Sequence, residues 1–281
     1  MSSRPARYAV VGNPIAHSLS PRIHGIFAQQ TGEQLHYERL LVAVDEFAPA
    51  LDEFFRDGGA GLNITVPCKF AAARWVDELD SRAATAGAVN TIVVLHDAAN
   101  GALKYRGYNT DGDGLVNDLQ RNLSLQLSGK RLLVLGAGGA VSGVLAPLAE
   151  QTPAVLVIAN RTPAKAAALV ERLVTDFPAL AIRSAPLTNV SGEFDLVING
   201  TSAGLDNATP DIRGELVAGA LCYDMVYGGQ TAFCRWALTQ GAAGAVDGLG
   251  MLVEQAALAF ALWHDKVPDT KPVLALLRND G

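Results

Sequence analysis

Residues 62–70 read LNITVPCKF, an apolar, β-branched run that stops at Val66, Pro67, Cys68 and Lys69. Proline's fixed φ and missing N–H suit a turn or the first turn of a helix. The pattern therefore puts Lys69 at a helix start, near the positive end of the dipole, where its charged form is disfavoured. A lysine kept ordered there can donate a proton near neutral pH; an ordinary surface lysine is the competing reading.

A second stretch, LLVLGAGGAV (132–141), sets Gly136, Ala137, Gly138, Gly139 and Ala140 between a hydrophobic strand and a helix. Glycines let backbone come close to a pyrophosphate, and the helix start offers it free N–H groups. A second strand, AVLVIA, follows in turn and ends at Asn160, Arg161 and Thr162, with Lys165 beyond. No carboxylate stands there to accept a ribose 2′-hydroxyl, and a guanidinium suits a 2′-phosphate, so NADP is expected rather than NAD. Alternatively Thr162 caps the helix that begins at Pro163 and Arg161 faces solvent. The two readings are compatible, because such a cap would fix the turn that aims Arg161.

These groups need strands to carry them and helices to start beside them. Short apolar runs alternate with Ala/Leu-rich helical patterns throughout, as in a βαβ architecture with mostly parallel sheets. In the first part YAVVG (8–12) reads as a strand, SPRIHGIFAQQTG as a helix ending at Gly32, HYERLLV as a strand and Asp45–Arg56 as a helix. GLNITVP is a third strand, a helix starts near Cys68, and AVNTIVVL (88–95) with KYRGYN makes a strand and hairpin. The turn-rich NTDGDG (109–114) opens the helical LVNDLQRNL and marks a domain boundary. Two strand–turn–helix units follow, then strands in FDLVINGTSAG and ALCYDMVY (220–227). Pro147 falls inside a predicted helix and should kink it. The last helix, MLVEQAALAFALWH (251–264), is apolar nearly all round and should be buried; with no strand left to follow, it can return to the first part.

A chain of 281 residues has room for two domains. Cys68, Cys222 and Cys234 show no CxxC spacing, so neither a disulfide framework nor a metal is expected. His17 and His24 lack partners at metal or triad spacing and are read as structural. A net charge of −6 without a Lys/Arg block argues against nucleic acid or an anionic membrane as partner. The N-terminal apolar run meets turn residues at once, unlike a signal peptide, and no apolar run approaches the ~20 residues of a bilayer span. Small ligands and a cytoplasmic location are expected, for a monomer or homodimer.

Taken in order, GNPIAHSLSPRIH (12–24), LNITVPCKF (62–70), GAVNT (87–91), GYNTDGDG (107–114), GAGGA (136–140), NRT (160–162), NGTSAG (199–204), DMVY (224–227) and DGLGMLVEQAA (247–257) resemble the shikimate dehydrogenases over nearly the whole chain. The resemblance implies an α/β fold of two domains. Residues 1–108 would form an N-terminal substrate domain completed by the C-terminal helix (248–281), around an inserted Rossmann-type NADP-binding domain (109–247). It further implies reversible NADP-dependent reduction of 3-dehydroshikimate to shikimate in aromatic amino-acid biosynthesis.

Residue by residue, the resemblance makes Lys69 the catalytic lysine and Asp111 its partner. Hydride arriving at a carbonyl carbon leaves an alkoxide that needs a proton, and a lysine balanced by Asp111 can supply it or, in reverse, remove it. On its own, Asp111 reads equally well as a helix N-cap. Ser18 and Ser20 match the pair that holds the substrate carboxylate, with capping before Pro21 as the alternative. Thr65, Asn90 and Gln255 match residues that bond the ring hydroxyls; a glutamine on an apolar helix otherwise only needs some buried partner. Tyr227 matches a pocket tyrosine. Thr201 and Ser202 lie where the nicotinamide half belongs, Gly248 matches a backbone contact to its ring, and Met225 packs there or in the core.

Three positions depart from the family pattern: Gly25 in place of asparagine, Val141 in place of alanine, and GGQTAF (228–233) without its proline. None removes a catalytic group. Other readings stay open. One is a quinate/shikimate dehydrogenase with relaxed cofactor use, although Arg161 and Lys165 speak against NAD. Another is a non-catalytic sensor of shikimate-like ligands and NADP, against which Lys69 and Asp111 argue. Another Rossmann dehydrogenase would not require the set Ser18, Ser20, Thr65, Asn90 and Gln255.

Overall fold

Runs of Val, Leu and Ile bounded by glycine become central strands. In a computed structural model describing residues 5–96, 101–203 and 208–279, they build two six-stranded sheets. The first contains β1 (Ala6–Gly12), β2 (Leu35–Leu41), β3 (Gly59–Ile64), β4 (Glu78–Leu79), β5 (Thr91–His96) and β6 (Leu103–Tyr108), in the order β2-β1-β3-β5-β6-β4. β1 runs parallel to both neighbours, while β5 is antiparallel to β3 and β6. Helices α1 (Ser20–Thr31), α2 (Phe47–Arg56), α3 (Lys69–Trp75) and α4 (Ser81–Ala86) lie between these strands in the chain. Phe47, Leu51, Phe54 and Phe55 of α2 pack on Leu62, Ile64 and Ile92. α1 ends where expected, with Gly32 in the left-handed region that glycine alone adopts freely.

α5 (Asp111–Asn117), continued by a π turn over Asp118–Asn122, leads to the second sheet. Its strands are β7 (Arg131–Leu135), β8 (Val155–Asn160), β9 (Ile182–Pro186), β10 (Leu196–Asn199), β11 (Leu221–Asp224) and β12 (Gly244–Val246). All pairs are parallel, in the order β12-β11-β10-β7-β8-β9. That order is doubly wound about β7, and the crevice at its switch point opens between β7 and β10. α6 (Gly139–Glu150) and α7 (Pro163–Asp176) follow β7 and β8, and α8 (Ala232–Thr239) precedes β12.

α9 (Leu249–His264) leaves the second sheet and returns to the first, as its all-round apolarity suggested. Val253, Ala256, Ala257 and Phe260 pack on Ile23 and Phe27 of α1, with Val273 and Leu277 of α10 (Thr270–Asn279) beside them. Among the described residues no helix is long and apolar enough to cross a membrane.

Three local expectations are corrected. NTDGDG is helical from Asp111 onward rather than a turn. Its glycines serve close approach: a Cβ at Gly112 would collide with Pro147 Cγ, and one at Gly114 would lie 2.7 Å from the Gln255 nitrogen. Pro147 stays within α6, seated on Gly112. The strand of AVNTIVVL starts at Thr91, because Val89 N–H donates to Lys69 O (3.0 Å) and Ala88 O accepts from Asn109 Nδ2 (2.8 Å), outside the ladder. The helix expected from Asp45 begins at Phe47.

α4 is tied to the second sheet's helices. Arg82 pairs with Glu150 and Asp113, Ser142 Oγ donates to Ala86 O, and Arg172 donates to the carbonyls of Ala84 and Thr85. Across the molecule, α9 seats Gly250 on the buried Asp118, which accepts from Tyr223 Oη at 2.7 Å and Asn122 Nδ2 at 2.9 Å. A Cβ at 250 would collide with Asp118 Oδ1, and Asp118 cannot swing aside without losing those bonds. Gly250→Ala should therefore destabilise the fold by about 1–3 kcal/mol through overpacking. The thermal unfolding midpoint should fall by several degrees; an unchanged midpoint would mean that Asp118 yields at no cost.

Candidate active site

Beyond β3 the backbone keeps one more sheet bond, Thr65 N–H to Val11 O at 2.8 Å, and then turns back as Cys68 N–H donates to Thr65 O at 2.9 Å. The turn delivers Lys69 as the first residue of α3. Asp111 is likewise the first residue of α5, where the helix dipole favours its carboxylate. It is not the cap residue; Thr110 holds that position, without a side-chain cap bond. The two starts meet: Lys69 Nζ donates to Asp111 Oδ2, with Lys69 only 9% exposed and Asp111 4%. At that burial each charge depends on the other.

Asn90, just before β5, organises the surroundings. Its Nδ2 donates to Asp111 Oδ1 at 2.8 Å and to Gln255 Oε1 at 3.2 Å, and its Oδ1 accepts from Thr110 N–H at 2.9 Å. Lys69, Asp111, Asn90 and Gln255 thus form one buried network drawn from α3, α5, the start of β5 and α9. Ser18 and Ser20 form a second corner. Ser18 Oγ donates to Ser20 Oγ at 3.2 Å and accepts from Ser20 N–H at 3.3 Å; both are buried, and neither caps α1, whose cap position is Leu19 without a side-chain cap bond. Tyr227 joins that corner; burial pushes its phenol up, against the opposing pull of the Leu19 backbone, the Arg39 charge and the Ser18 hydroxyl. Thr65 is half-buried, its methyl set against Gly12.

The cofactor candidates line the switch point. Gly136 has φ +110°, and a Cβ there would meet Gly200 O at 2.8 Å. Gly138 precedes α6 with open space around it, beside Ala137 and Ala140, and Gly139 is so near Lys69 that a Cβ would lie 3.1 Å from the lysine Cβ. After β10, Thr201 bonds Asn199 Oδ1 through both N–H and Oγ1, and Ser202 is exposed. Gly204, the end of the NGTSAG motif, lies outside the described residues. Met225 sets its sulfur against Gly200, and Gly248 N–H donates to Val226 O at 3.0 Å. Arg161 and Lys165 are exposed beyond β8. Thr162 occupies the cap position of α7 but makes no side-chain cap bond; the turn is held by Asn160 Nδ2, which donates to Thr162 O at 3.0 Å.

His24 is fully buried, stacked on Tyr37 with centroids 4.4 Å apart, and burial pushes its imidazole down to about 3. It is neutral and structural. Sequence reasoning overlooked Asn63, whose Nδ2 donates to Asn90 O and Thr91 Oγ1 while its Oδ1 accepts from Tyr37. The signal was an asparagine inside the apolar strand LNITV, since a buried amide needs partners. Arg39 was overlooked as well, and nothing local to HYERLLV links it to Ser18.

Family models agree with this arrangement in three segments. They are the shikimate dehydrogenase substrate binding domain over residues 10–92, shikimate / quinate 5-dehydrogenase over 118–209, and the shikimate 5'-dehydrogenase C-terminal domain over 248–278. A curated relative, the shikimate dehydrogenase (NADP(+)) of Alkalilimnicola ehrlichii, is 54% identical over 274 residues, covering 97% of this chain and 98% of its own. The Ael1 enzyme from Pseudomonas putida superposes with a TM-score of 0.86 at 41% identity, over 97% of this chain and 98% of that one. The shikimate 5-dehydrogenase of Thermus thermophilus, solved with NADP(H) and shikimate, gives 0.81 at 34% identity over 98% and 99%. With its sheet order, its paired helix starts and matches of this extent, the chain belongs to the shikimate dehydrogenase family.

Proposed function

We propose that the chain catalyses the reversible NADP-dependent reduction of 3-dehydroshikimate to shikimate, a step of aromatic amino-acid biosynthesis, with Lys69 and Asp111 as its acid–base pair. The observation that carries this reading is the buried Lys69–Asp111 pair, with the stem of Lys69 set directly against Gly139 of the glycine turn. A proton donor and the cofactor's binding turn share one wall of the cleft. Both chain ends, residues 1–108 and 248–281, form the substrate side, and 109–247 the cofactor side; the packing of α9 and α10 on α1 supports that division.

The turn's residues fit a dinucleotide phosphate. Gly138 leaves space where a side chain would block approach, and the first N–H groups of α6 face outward from the 12-residue helix. Arg161 and Lys165, exposed beyond β8 with Lys165 in the first turn of α7, suit the 2′-phosphate, with Asn160 and Thr162 shaping the turn. Thr201, Ser202, Met225 and Gly248 wall the nicotinamide side. When bound, NADP(H) supplies or accepts the hydride. Lys69 Nζ gives a proton to the oxygen left behind and in reverse removes the hydroxyl proton, while Asp111 holds the ammonium in place. Ser18 and Ser20 hold the substrate carboxylate, with Tyr227 lining the pocket beside them; Thr65, Asn90 and Gln255 hold its ring hydroxyls.

Initial-rate oxidation of shikimate and of quinate, each with NADP and NAD, tests the function; shikimate with NADP should be strongly preferred, and no turnover with any pair would sink the reading. Lys69→Ala should lower kcat by roughly 10²–10⁴-fold, the usual worth of a general acid or base. Shikimate binding should stay within about an order of magnitude, because the hydroxyl partners remain; near wild-type turnover would remove Lys69 from the chemistry. Arg161→Ala should chiefly raise the KM for NADP, and an unchanged NADP/NAD ratio would show that Arg161 does not read the phosphate.

A further inference from the structure

The turn Ser18–Leu19–Ser20 is held from outside as well as by its own hydroxyls. Arg39, on the edge strand β2, lays its guanidinium on the turn: Nε and Nη2 donate to Ser18 O at 3.0 and 2.6 Å. That double contact fixes the plane of the guanidinium and leaves the Nη1 amino group out of it. Tyr227 lies in the same corner, within reach of Arg39's charge. The neighbouring carboxylate does not cancel that charge. Glu38 alternates to the opposite face of the strand and bonds Arg7 Nε at 2.5 Å.

Two hydroxyls and a phenol offer only neutral hydrogen bonds. An anion held by them in a half-buried corner gains from a fixed cation nearby, whereas an uncharged analogue of the same shape does not. We propose that Arg39, held in place by its two hydrogen bonds to Ser18 O, is a specificity-determining residue whose charge selects the carboxylate form of the substrate at the Ser18–Ser20–Tyr227 corner. The proposal rests on the substrate reading given above, which assigns this corner to the carboxylate.

Calorimetric binding and steady-state kinetics with shikimate and with its uncharged methyl ester separate charge from shape. For Arg39→Gln, Kd and KM for shikimate should rise roughly tenfold with kcat little changed, while the ester is affected by less than about twofold. Arg39→Lys keeps the charge without the planar double contact and should retain most of the preference for acid over ester. Added salt should weaken shikimate binding to the unmodified protein more than to Arg39→Gln, since the guanidinium is exposed. Equal weakening of acid and ester would overturn the proposal and leave Arg39 a merely structural clamp; so would an unchanged preference. A wild-type protein that binds NADPH, seen by its fluorescence, but neither acid nor ester would instead overturn the substrate reading itself.

Discussion

Two opposite charges taken out of water together persist only when their mutual attraction is completed by hydrogen bonds to the remaining polar atoms. The Lys69–Asp111 pair sets that requirement for this fold. Asp111 Oδ1 takes the amide of Asn90, whose own oxygen takes Thr110 N–H and Thr91 Oγ1, and whose amide also reaches Gln255. The partners come from α3, β5, α5 and α9, elements far apart in sequence. A shift in any of them strands a buried polar group. The glycines follow from the same demand: only with Gly112 and Gly114 can α5 lie close enough to Pro147 and Gln255 to bring its first residue to the lysine.

The second sheet meets this network at its switch point. β7 ends in the glycine turn and β10 in the Thr201–Ser202 loop, so the crevice between them opens where α3 begins. Packing under the turn also accounts for one departure from the family pattern. Val141, fully buried, fills with its Cγ2 the place that a Cβ at Gly200 would occupy. A valine here is accommodated by the absence of a side chain across the crevice. The Gly25 departure sits in open space on α1, where a Cβ would touch nothing within 4 Å, so it does not reshape the turn bearing Ser18 and Ser20.

What could be read from the sequence was whatever depends on neighbours in the chain. The glycine turn between strand and helix, the lysine after a proline-ended strand and the apolar last helix each declare themselves locally, and the fold keeps all three. NTDGDG misled because its composition is that of a turn, and only the contacts of Gly112 and Gly114 with other helices reveal a close crossing. Thr162 misled in a similar way: residue type and position promise a cap, yet the neighbouring Asn160 side chain makes the bond that holds the turn. Asn63 and Arg39 act on groups 27 and 21 residues away, a relation that one sequence without its fold does not contain.

A protein that only sensed shikimate and NADP would need hydroxyl partners and a grip on the phosphates. It would gain nothing from an ammonium buried against a carboxylate, since apolar residues of similar volume fill such a space at less cost in desolvation. Here the costly arrangement stands against the glycine turn. The stem of Lys69 lies against Gly139, so a side chain added at that glycine would press on the lysine, and the turn's geometry and the lysine's position are mechanically one feature. Hydride transfer and proton transfer act on the two atoms of one carbonyl. In the proposed reaction, a fold that fixes the glycine turn and the lysine to each other would set both distances together, a constraint that binding alone does not impose.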